Sequence, residues 1–407
     1  MTRVLVAVDS FKGSLTAAEA GAAVAAGVRR ADPGAAVSVL PVSDGGEGFL
    51  ALAVAHGYAA VPVTVSGPTG EPVETSYAVR RATTGTEVVV EMADACGLLR
   101  LPGGVRAPMT ASSRGLGEVL AAALVRERPD RVLVGIGGSA STDGGAGMVG
   151  ALGVHPVDAT GRLLPDGGGP LTDVAGLARD DDRPLPSRTD NGPAPARSGT
   201  GHPAAGDEPP DLLARLRATD LRVACDVSAP LTGPAGAAYV FGPQKGASPE
   251  QVAALDAALT RWADVVTAAT GRDVRHAPGT GAAGGVGYAA LALLGARLLP
   301  GVEVALDLVG FDTALDGVDL VITGEGSLDA QSLLGKAPLG VARRARARGI
   351  PVVAVCGRTT LTEEERDRAG FADVWALSDL EPDPARSMAR AAILLQHLVS
   401  ERLGGRQ

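Results

Sequence analysis

The segment Arg3-Val-Leu-Val-Ala-Val8, followed by Asp9-Ser-Phe-Lys-Gly-Ser14 and the alanine-rich run Thr16–Ala31, decides the fold class. Its continuous apolar run predicts a buried strand. Ser14 or Thr16 before the alanine-rich run provides a good helix N-cap, and Asp32-Pro-Gly34 ends that helix. A strand buried on both faces and followed by a helix is typical of a parallel sheet covered by helices. This segment therefore predicts an α/β fold.

The same alternation of apolar runs and amphipathic stretches recurs along the chain. The further predicted strands are Val37–Val42, Glu87–Met92, Arg131–Gly135, Leu221–Cys225, Asp319–Thr323, Pro351–Cys356 and Ala372–Leu377. The further predicted helices are Ser113–Arg128, Ser248–Thr270, Lys336–Arg348 and Pro384–Leu403.

One region has a different pattern, and it predicts a second domain. Val61–Ser66 and Val73–Val79 alternate in polarity around the turn Gly67-Pro-Thr-Gly70, which indicates a β-hairpin. A chain of 407 residues also exceeds the size of one core. We therefore predict a three-layer, flavodoxin- or Rossmann-like domain with a parallel sheet (1–60 and 290–407) and an inserted mixed-sheet α/β domain (61–289). Residues 165–210, rich in Pro, Gly, Asp and Arg, predict a flexible loop in the inserted domain.

Composition excludes several classes of protein. A net charge of −9 with 3% aromatic residues argues against a nucleic-acid-binding surface. Three dispersed cysteines without CxxC spacing suggest neither a disulfide framework nor a zinc site. The sequence shows no signal-peptide pattern and no apolar run of roughly 18–20 residues. We expect a cytoplasmic protein with no nucleic-acid or membrane partner, and both a monomer and a homodimer stay open.

Polar residues cluster where the predicted strands end. In open α/β sheets ligands bind beyond the carboxyl ends of the strands, so these residues describe the rim of an active site. The segments are Asp9-Ser-Phe-Lys12, Ser43-Asp-Gly-Gly-Glu-Gly48, Gly137-Gly-Ser139 with Asp143, Asp226, and Gly324-Glu-Gly-Ser-Leu-Asp329.

The only lysines of the chain are Lys12, Lys245 and Lys336, and all three lie in glycine-bearing segments. Because arginine takes every other basic position, these lysines indicate chemistry that needs a compact cation, such as contact with a phosphate. Carboxylates without a His or Cys cluster suit Mg²⁺. Glycine-rich turns that lead into helices present N–H groups to phosphates. The set favours phosphoryl transfer from a nucleotide to an alcohol.

A dinucleotide-dependent dehydrogenase of a small hydroxy acid is the alternative. Gly135-Ile-Gly-Gly-Ser-Ala140 fits G-x-G-x-x-A after a strand, and Gly279-Thr-Gly-Ala-Ala-Gly284 fits G-x-G-x-x-G without a preceding apolar strand. The first turn, continuing from Ser139 to Asp143, is longer and more polar than a dinucleotide elbow. No G-x-x-x-x-G-K-[ST] motif occurs, so a kinase would not be of the Walker type.

In this order, the strand-end segments resemble the type I glycerate kinase family of bacteria. The likeness covers nearly the whole chain outside residues 165–210. The matching stretches are Val8–Ser14, Val42–Gly48, Gly135–Met148, Ala224–Ala237, Val240–Gly246, Pro278–Gly285 and Asp319–Gln331.

The resemblance implies phosphorylation of D-glycerate by ATP with Mg²⁺, in a cleft between the two domains. It leans toward 2-phosphoglycerate over 3-phosphoglycerate as the product. The sequence departs from the family at Gly13, which usually is Glu, and at Ser112-Ser-Arg114-Gly115, which usually is Thr-Ser-Tyr-Gly. The loop 165–210 is also longer than usual.

Residue type and position at strand ends give each candidate a role. Lys12 and Lys245 hold either the glycerate carboxylate or the moving phosphoryl group, and Asp44 or Asp9 accepts the hydroxyl proton or positions Mg²⁺. The predicted substrate-binding residues are Ser10, Ser43, Asp226 and Arg114. The predicted nucleotide-binding residues are Gly137, Gly138, Ser139, Asp143, Gly281, Gly284 and Gly285. The predicted metal ligands are Glu325 and Asp329.

Overall fold

The structure, a computed structural model, describes residues 1–43, 48–83, 85–180, 211–329, 332–334 and 336–405. Within these residues the strands are β1 (Arg3–Val8), β2 (Ala36–Val39), β3 (Ala59–Ser66), β4 (Pro72–Ala82), β5 (Gly85–Glu91), β6 (Arg131–Gly135), β7 (Val154–Val157), β8 (Gly176–Arg179), β9 (Asp220–Ala224), β10 (Arg297–Leu299), β11 (Leu320–Leu328), β12 (Val352–Thr359) and β13 (Asp373–Ala376). The α-helices are α1 (Ala17–Ala31), α2 (Phe49–Ala55), α3 (Met92–Cys96), α4 (Arg114–Glu127), α5 (Ala146–Gly150), α6 (Leu212–Arg217), α7 (Ala237–Phe241), α8 (Pro249–Thr270), α9 (Val286–Ala292), α10 (Gly301–Leu308), α11 (Phe311–Ala314), α12 (Ala337–Ala347), α13 (Glu363–Ala369), α14 (Pro384–Ala389) and α15 (Ala391–Gly404).

The chain divides into two compact units. Unit 1 comprises Met1–Gly48 with Pro300–Gln407, and unit 2 comprises Phe49–Leu299. Helix α2 belongs to unit 2 because the Leu50 N–H donates a 2.9 Å hydrogen bond to the Glu91 carboxylate at the end of β5. Strand β10 belongs there because it pairs in parallel with β9. These two elements place the unit boundaries at 48 and 299, where the sequence patterns indicate 60 and 289.

Unit 1 contains a five-stranded parallel sheet in the order β13-β12-β11-β1-β2. The chain runs from β1 to β2 on one side and from β11 through β12 to β13 on the other. The strand order therefore reverses between β1 and β11. Such a reversal opens a crevice at the carboxyl ends of the two central strands, and open α/β sheets bind their ligands there.

The core of unit 1 forms between the sheet and two helices, α1 and α15. Valines of β1 and helix residues such as Val24 and Leu395 are buried in one cluster with Trp375. A Cβ at Gly27 of α1 would lie 2.8 Å from the Cβ of Val399 in α15, so only glycine permits this helix contact. The capping box of Thr16 and Glu19 fixes the start of α1 and hence the length of the turn after β1.

Unit 2 contains a six-stranded mixed sheet in the order β10-β9-β6-β5-β4-β3. Its first four strands are parallel, and β4 and β3 are antiparallel as the hairpin pattern predicts. Helices α4 and α8 bury Leu120, Leu255 and Trp262 in its core. The predicted α/β class with one parallel and one mixed sheet is thus confirmed. The flavodoxin-like layering and the insertion of one domain into the other stay predictions.

The first part of the predicted loop 165–210 is regular structure, so that prediction is wrong for residues 165–180. Residues Gly169–Asp173 form a 3-10 helix, and β8 pairs antiparallel with β7. Leu171 and Val174 are buried in the core of unit 2. These two apolar residues anchor a segment whose average composition is polar. Residues 181–210 lie outside the described residues.

No helix in the described part of the chain combines the length and apolar character needed to cross a membrane.

Candidate active site

The turn after β1 presents the first group of candidate residues in unit 1. Asp9 is 8% exposed, and its carboxylate accepts a 2.6 Å hydrogen bond from the Ser10 N–H. Buried Phe11 pairs with Leu15 through two backbone hydrogen bonds of 2.9 and 3.0 Å. This short closed turn holds the Phe11 ring in the core and leaves the Lys12 side chain exposed to solvent.

The carboxyl end of β11 lies against this turn. An added Cβ at Gly326 would be 3.4 Å from both the Lys12 backbone nitrogen and the Phe11 Cα, so the two chain segments are in contact there. Glu325 is 9% exposed, and its carboxylate lies 3.7 Å from the ammonium of Lys336. The crevice between β1 and β11 therefore contains carboxylates and cations from both strand ends.

A cavity of about 600 Å³ occupies this position. Its polar residues are Asp9, Ser10, Lys12, Ser14, Glu325, Ser327, Lys336, Arg358, Ser378, Glu381 and Ser387. Its apolar side chains are Phe11, Leu377, Pro382, Pro384, Met388 and Ala391. The structure thus brings together Asp9, Ser10, Lys12 and Glu325, which the sequence places in separate segments.

Two other predicted residues of unit 1, Ser43 and Asp329, do not line this cavity. Ser43 is buried after the end of β2. The Asp329 carboxylate accepts a 3.3 Å hydrogen bond from the Ser332 N–H, which shapes the turn after β11. Asp44 lies outside the described residues. Across the residues that the structure describes, no group of three or more His, Cys, Asp or Glu residues is arranged to hold a metal ion.

Lys245 is the central candidate of unit 2, and it is 2% exposed. Its ammonium donates hydrogen bonds of 2.9 Å to the Ser139 hydroxyl and 2.5 Å to the Ser141 carbonyl. Burial lowers the pKa of Lys245 to about 8, while the nearby Asp143 carboxylate acts in the opposite direction. The structure therefore joins two predicted site residues, Lys245 and Ser139, in direct contact.

Asp143 has no exposed surface, and it organises this loop. Its carboxylate accepts hydrogen bonds from the Ser113 N–H and hydroxyl at 2.8 and 2.7 Å. It also accepts from the N–H groups of Gly145 and Gly147 at 3.1 and 3.2 Å. Burial raises the pKa of Asp143, and these hydrogen bonds oppose the shift. In this conformation Asp143 positions the loop and cannot contact a ligand directly.

The predicted phosphate-binding glycines behave differently in the two loops. Gly137 and Gly138 of the turn after β6 are partly or fully exposed. Gly281, Gly284 and Gly285 are buried, and a Cβ at Gly284 would lie 2.1 Å from the Ser141 carbonyl oxygen. The second glycine run thus allows close packing of two backbone segments inside unit 2. The phosphate-binding role of this run stays a prediction, and close packing of the backbone is an alternative reason for its glycines.

Two predicted substrate-binding residues of unit 2 lie at different positions. Asp226 is exposed directly after β9. The Arg114 guanidinium forms a bidentate pair with Asp166, with N–O distances of 2.6 and 3.0 Å. This pair raises the pKa of Arg114 and fixes the position of its guanidinium. The substrate contacts of both residues stay predictions.

Arg358 and the apolar wall of the cavity are the site residues that sequence reasoning missed. Arg358 lies near the end of β12, where its side chain lines the cavity and its Nε donates to the Ser327 hydroxyl at 3.4 Å. Arg358 follows the predicted strand Pro351–Cys356, and this position at a strand end could have identified it as a site residue. The apolar wall comes from the segment after β13, which has no polar motif to mark it.

Comparison with known proteins gives consistent results. The sequence pattern of the glycerate kinase family matches residues 4–190 and 207–403. The chain is 39% identical to a glycerate kinase of Bacillus subtilis (strain 168), over 87% of this chain and 85% of that protein. It is also 39% identical to the glycerate 2-kinase of Escherichia coli (strain K12), over 88% of this chain and 86% of that protein.

A solved structure agrees in fold as well. A crystal structure from Salmonella typhimurium LT2, assigned to glycerate kinase 2, is 35% identical and superimposes with a TM-score of 0.77. The similarity covers 100% of this chain and 99% of that chain.

Proposed function

Because the chain belongs to the glycerate kinase family, we propose that it transfers a phosphoryl group from ATP to a hydroxyl of D-glycerate. The observation that carries this proposal is the cavity at the strand-order reversal of unit 1. There, the carboxylates of Asp9 and Glu325 lie with the lysines Lys12 and Lys336. Phosphoryl transfer needs these groups, because catalysis consists of positioning the reactants and stabilising the charge that moves between them.

The proposed reaction makes and breaks one bond at phosphorus. The glycerate hydroxyl oxygen bonds to the γ-phosphorus of ATP while the bond from that phosphorus to the bridging oxygen breaks, which releases ADP. The hydroxyl proton passes to a carboxylate, for which Asp9 is the candidate among the described residues and Asp44 is the other predicted base. The Lys12 ammonium neutralises charge on the phosphoryl oxygens.

The donor set of the cavity fits Mg²⁺. This ion is usually held by one or two carboxylates together with substrate phosphates, rather than by a full cage of protein ligands. Asp9 and Glu325 supply two carboxylates to one cavity. Glu325 would hold the ion, and Asp9 would be a second ligand in the case that Asp44 accepts the hydroxyl proton. Bound there, Mg²⁺ would neutralise phosphate charge. The ligand role of Asp329 stays a prediction.

In unit 2 we assign phosphate or glycerate contact to the turn of Gly137, Gly138 and Ser139. The exposure of the two glycines supports this assignment, as does the contact between Ser139 and the Lys245 ammonium. Lys245 itself is buried, so in this conformation it affects binding by holding the turn in place and not by contacting the ligand. That the loops of both units act in one cleft stays a prediction.

We propose 2-phosphoglycerate as the product, and the name of the Escherichia coli relative, glycerate 2-kinase, supports this choice. The dehydrogenase alternative finds no support among the relatives reported above, which are named as kinases.

We expect the purified protein to form ADP when it is incubated with ATP, Mg²⁺ and D-glycerate. Coupled detection of ADP measures the rate, and ³¹P NMR of the product distinguishes the 2-phosphate from the 3-phosphate. L-glycerate is the matched control substrate. Absence of ADP formation with D-glycerate, together with tight binding of NAD, would contradict the proposed function and support the dehydrogenase.

A further inference from the structure

We propose that the cavity of unit 1 binds the nucleoside part of the ATP, with the base against the apolar wall formed by Leu377, Pro382, Pro384 and Met388. This inference rests on the proposed function and extends it, because it assigns the nucleoside part of ATP to apolar residues that take no part in phosphoryl transfer.

The size of the cavity favours a nucleotide over glycerate as its main occupant. A volume of about 600 Å³ lies within the range of roughly 300–1,000 Å³ that is typical of sites for drug-sized ligands. Glycerate would fill only a small part of this space. A nucleoside with its phosphates is of the size that such a volume accommodates.

The cavity combines cations with apolar side chains. Lys12, Lys336 and Arg358 supply positive charge, which suits phosphates. The segment 377–391 contributes the apolar side chains Leu377, Pro382, Pro384, Met388 and Ala391, together with the polar side chains of Ser378, Glu381 and Ser387. Glycerate is polar along its whole length and has no part that an apolar wall would bind. A nucleotide has one charged end and one flat, largely apolar base.

Met388 is the residue that most directly reports on this wall. Its side chain lines the cavity and is 47% exposed. A Cβ at Gly13 would lie 3.0 Å from the Met388 Cε, which places the thioether end beside the turn that carries Lys12. A polarisable, flexible thioether packs well against aromatic rings. Met388 therefore provides an apolar surface for the nucleotide base next to the turn that carries Lys12.

Met388→Ala tests the assignment with a small change at an exposed position. We expect it to weaken ADP binding about 5- to 10-fold, because it removes apolar contact area from the base. Binding of inorganic tripolyphosphate and the KM for D-glycerate should stay within about twofold of the wild type, because neither ligand has a base. Calorimetric titration with ADP and with tripolyphosphate, without glycerate, measures the first two quantities.

Two variants serve as controls. Met388→Leu keeps most of the apolar area and should restore ADP binding to near the wild-type value. Ile393→Ala removes an apolar side chain that is 64% exposed on α15 and does not line the cavity, so it should leave ADP binding unchanged.

The outcomes separate this inference from the proposed function. Unchanged ADP binding in Met388→Ala would overturn the nucleoside assignment, while glycerate turnover by the wild type would leave the kinase proposal standing. A raised KM for D-glycerate with unchanged ADP binding would make the cavity an acid site and would also overturn the assignment. Selective loss of ADP binding in a protein that fails to phosphorylate glycerate would support the nucleoside site and contradict the kinase proposal.

Discussion

Lys12→Met is expected to lower kcat/KM for D-glycerate by about a thousandfold, because it removes a cation that stabilises the moving phosphoryl group. The melting temperature should stay nearly unchanged. The Lys12 side chain is exposed, and the turn that carries it is closed by backbone hydrogen bonds between Phe11 and Leu15, which the substitution leaves intact. Steady-state kinetics and a thermal melt of the same preparation measure both quantities.

Two further variants make the Lys12 result specific. Lys12→Arg keeps the charge but replaces a compact ammonium by a planar fork, so we expect intermediate activity. Arg30→Met removes an exposed cation at the end of α1 that does not line the cavity, and activity should be unaffected. Activity of Lys12→Met within about tenfold of the wild type would remove this residue from the catalytic group.

The stability difference between the wild type and Lys245→Met is expected to change with pH. Burial lowers the pKa of Lys245 in the folded protein from its ordinary value of 10.5 to about 8. Between these two pKa values the unfolded chain holds a proton that the folded protein has lost, so stability rises with pH. Below pH 8 both states are protonated and the folded state carries the full cost of burying the charge.

We therefore expect the free energy of unfolding of the wild type, relative to Lys245→Met, to increase by roughly 2–3 kcal/mol between pH 7 and pH 10. Urea unfolding at each pH measures this difference. Comparison with Lys245→Met cancels the titration of other groups, such as the tyrosines. Met388→Ala changes no titratable group, and its difference from the wild type should be independent of pH. A flat difference would show that folding leaves the pKa of Lys245 unchanged, and a falling difference would show that folding raises it; either result would contradict the expectation.

Strand positions could be predicted well wherever apolar residues run continuously. The bounds of β1 and β6 agree with the sequence prediction residue for residue, since each strand is buried after its first residue and is followed by a polar turn. The carboxyl end of β11 was harder to place. Strand β11 continues through Gly324–Leu328, which the sequence pattern assigns to a loop, because Gly326 and its neighbours pack closely against the next strand and the β1 turn.

The C-terminal region contains a helix break that the periodic sequence pattern did not indicate. Residues Pro384–Leu403 predict one helix, but the structure has α14 and α15 separated at Arg390, whose φ of −117° and ψ of 14° are not helical. Met388 and Ala391, which lie on either side of the break, both line the cavity. A sequence pattern indicates which residues are apolar, and here it did not indicate that they face a ligand site.

The polar residues of the candidate site could be predicted from their position at strand ends, whereas the role of the glycines could not. Asp9, Lys12 and Glu325 lie at the carboxyl ends of neighbouring parallel strands, so position along the sequence was enough to group them. Gly284 carries the same signature as a phosphate loop, yet its positive φ and its contact with Ser141 serve packing. Glycine permits close approach of any group, and sequence alone does not say whether that group is a phosphate or protein backbone.

Hydrogen–deuterium exchange shows whether the reactants bind at the carboxyl ends of β1 and β11. With ADP and D-glycerate together, we predict slower exchange in peptides covering Phe11–Leu15 and Gly324–Leu328, and no change in the β7–β8 hairpin. If both segments keep their unliganded exchange rates at saturating ligand while other segments become protected, the reactants do not bind at these strand ends.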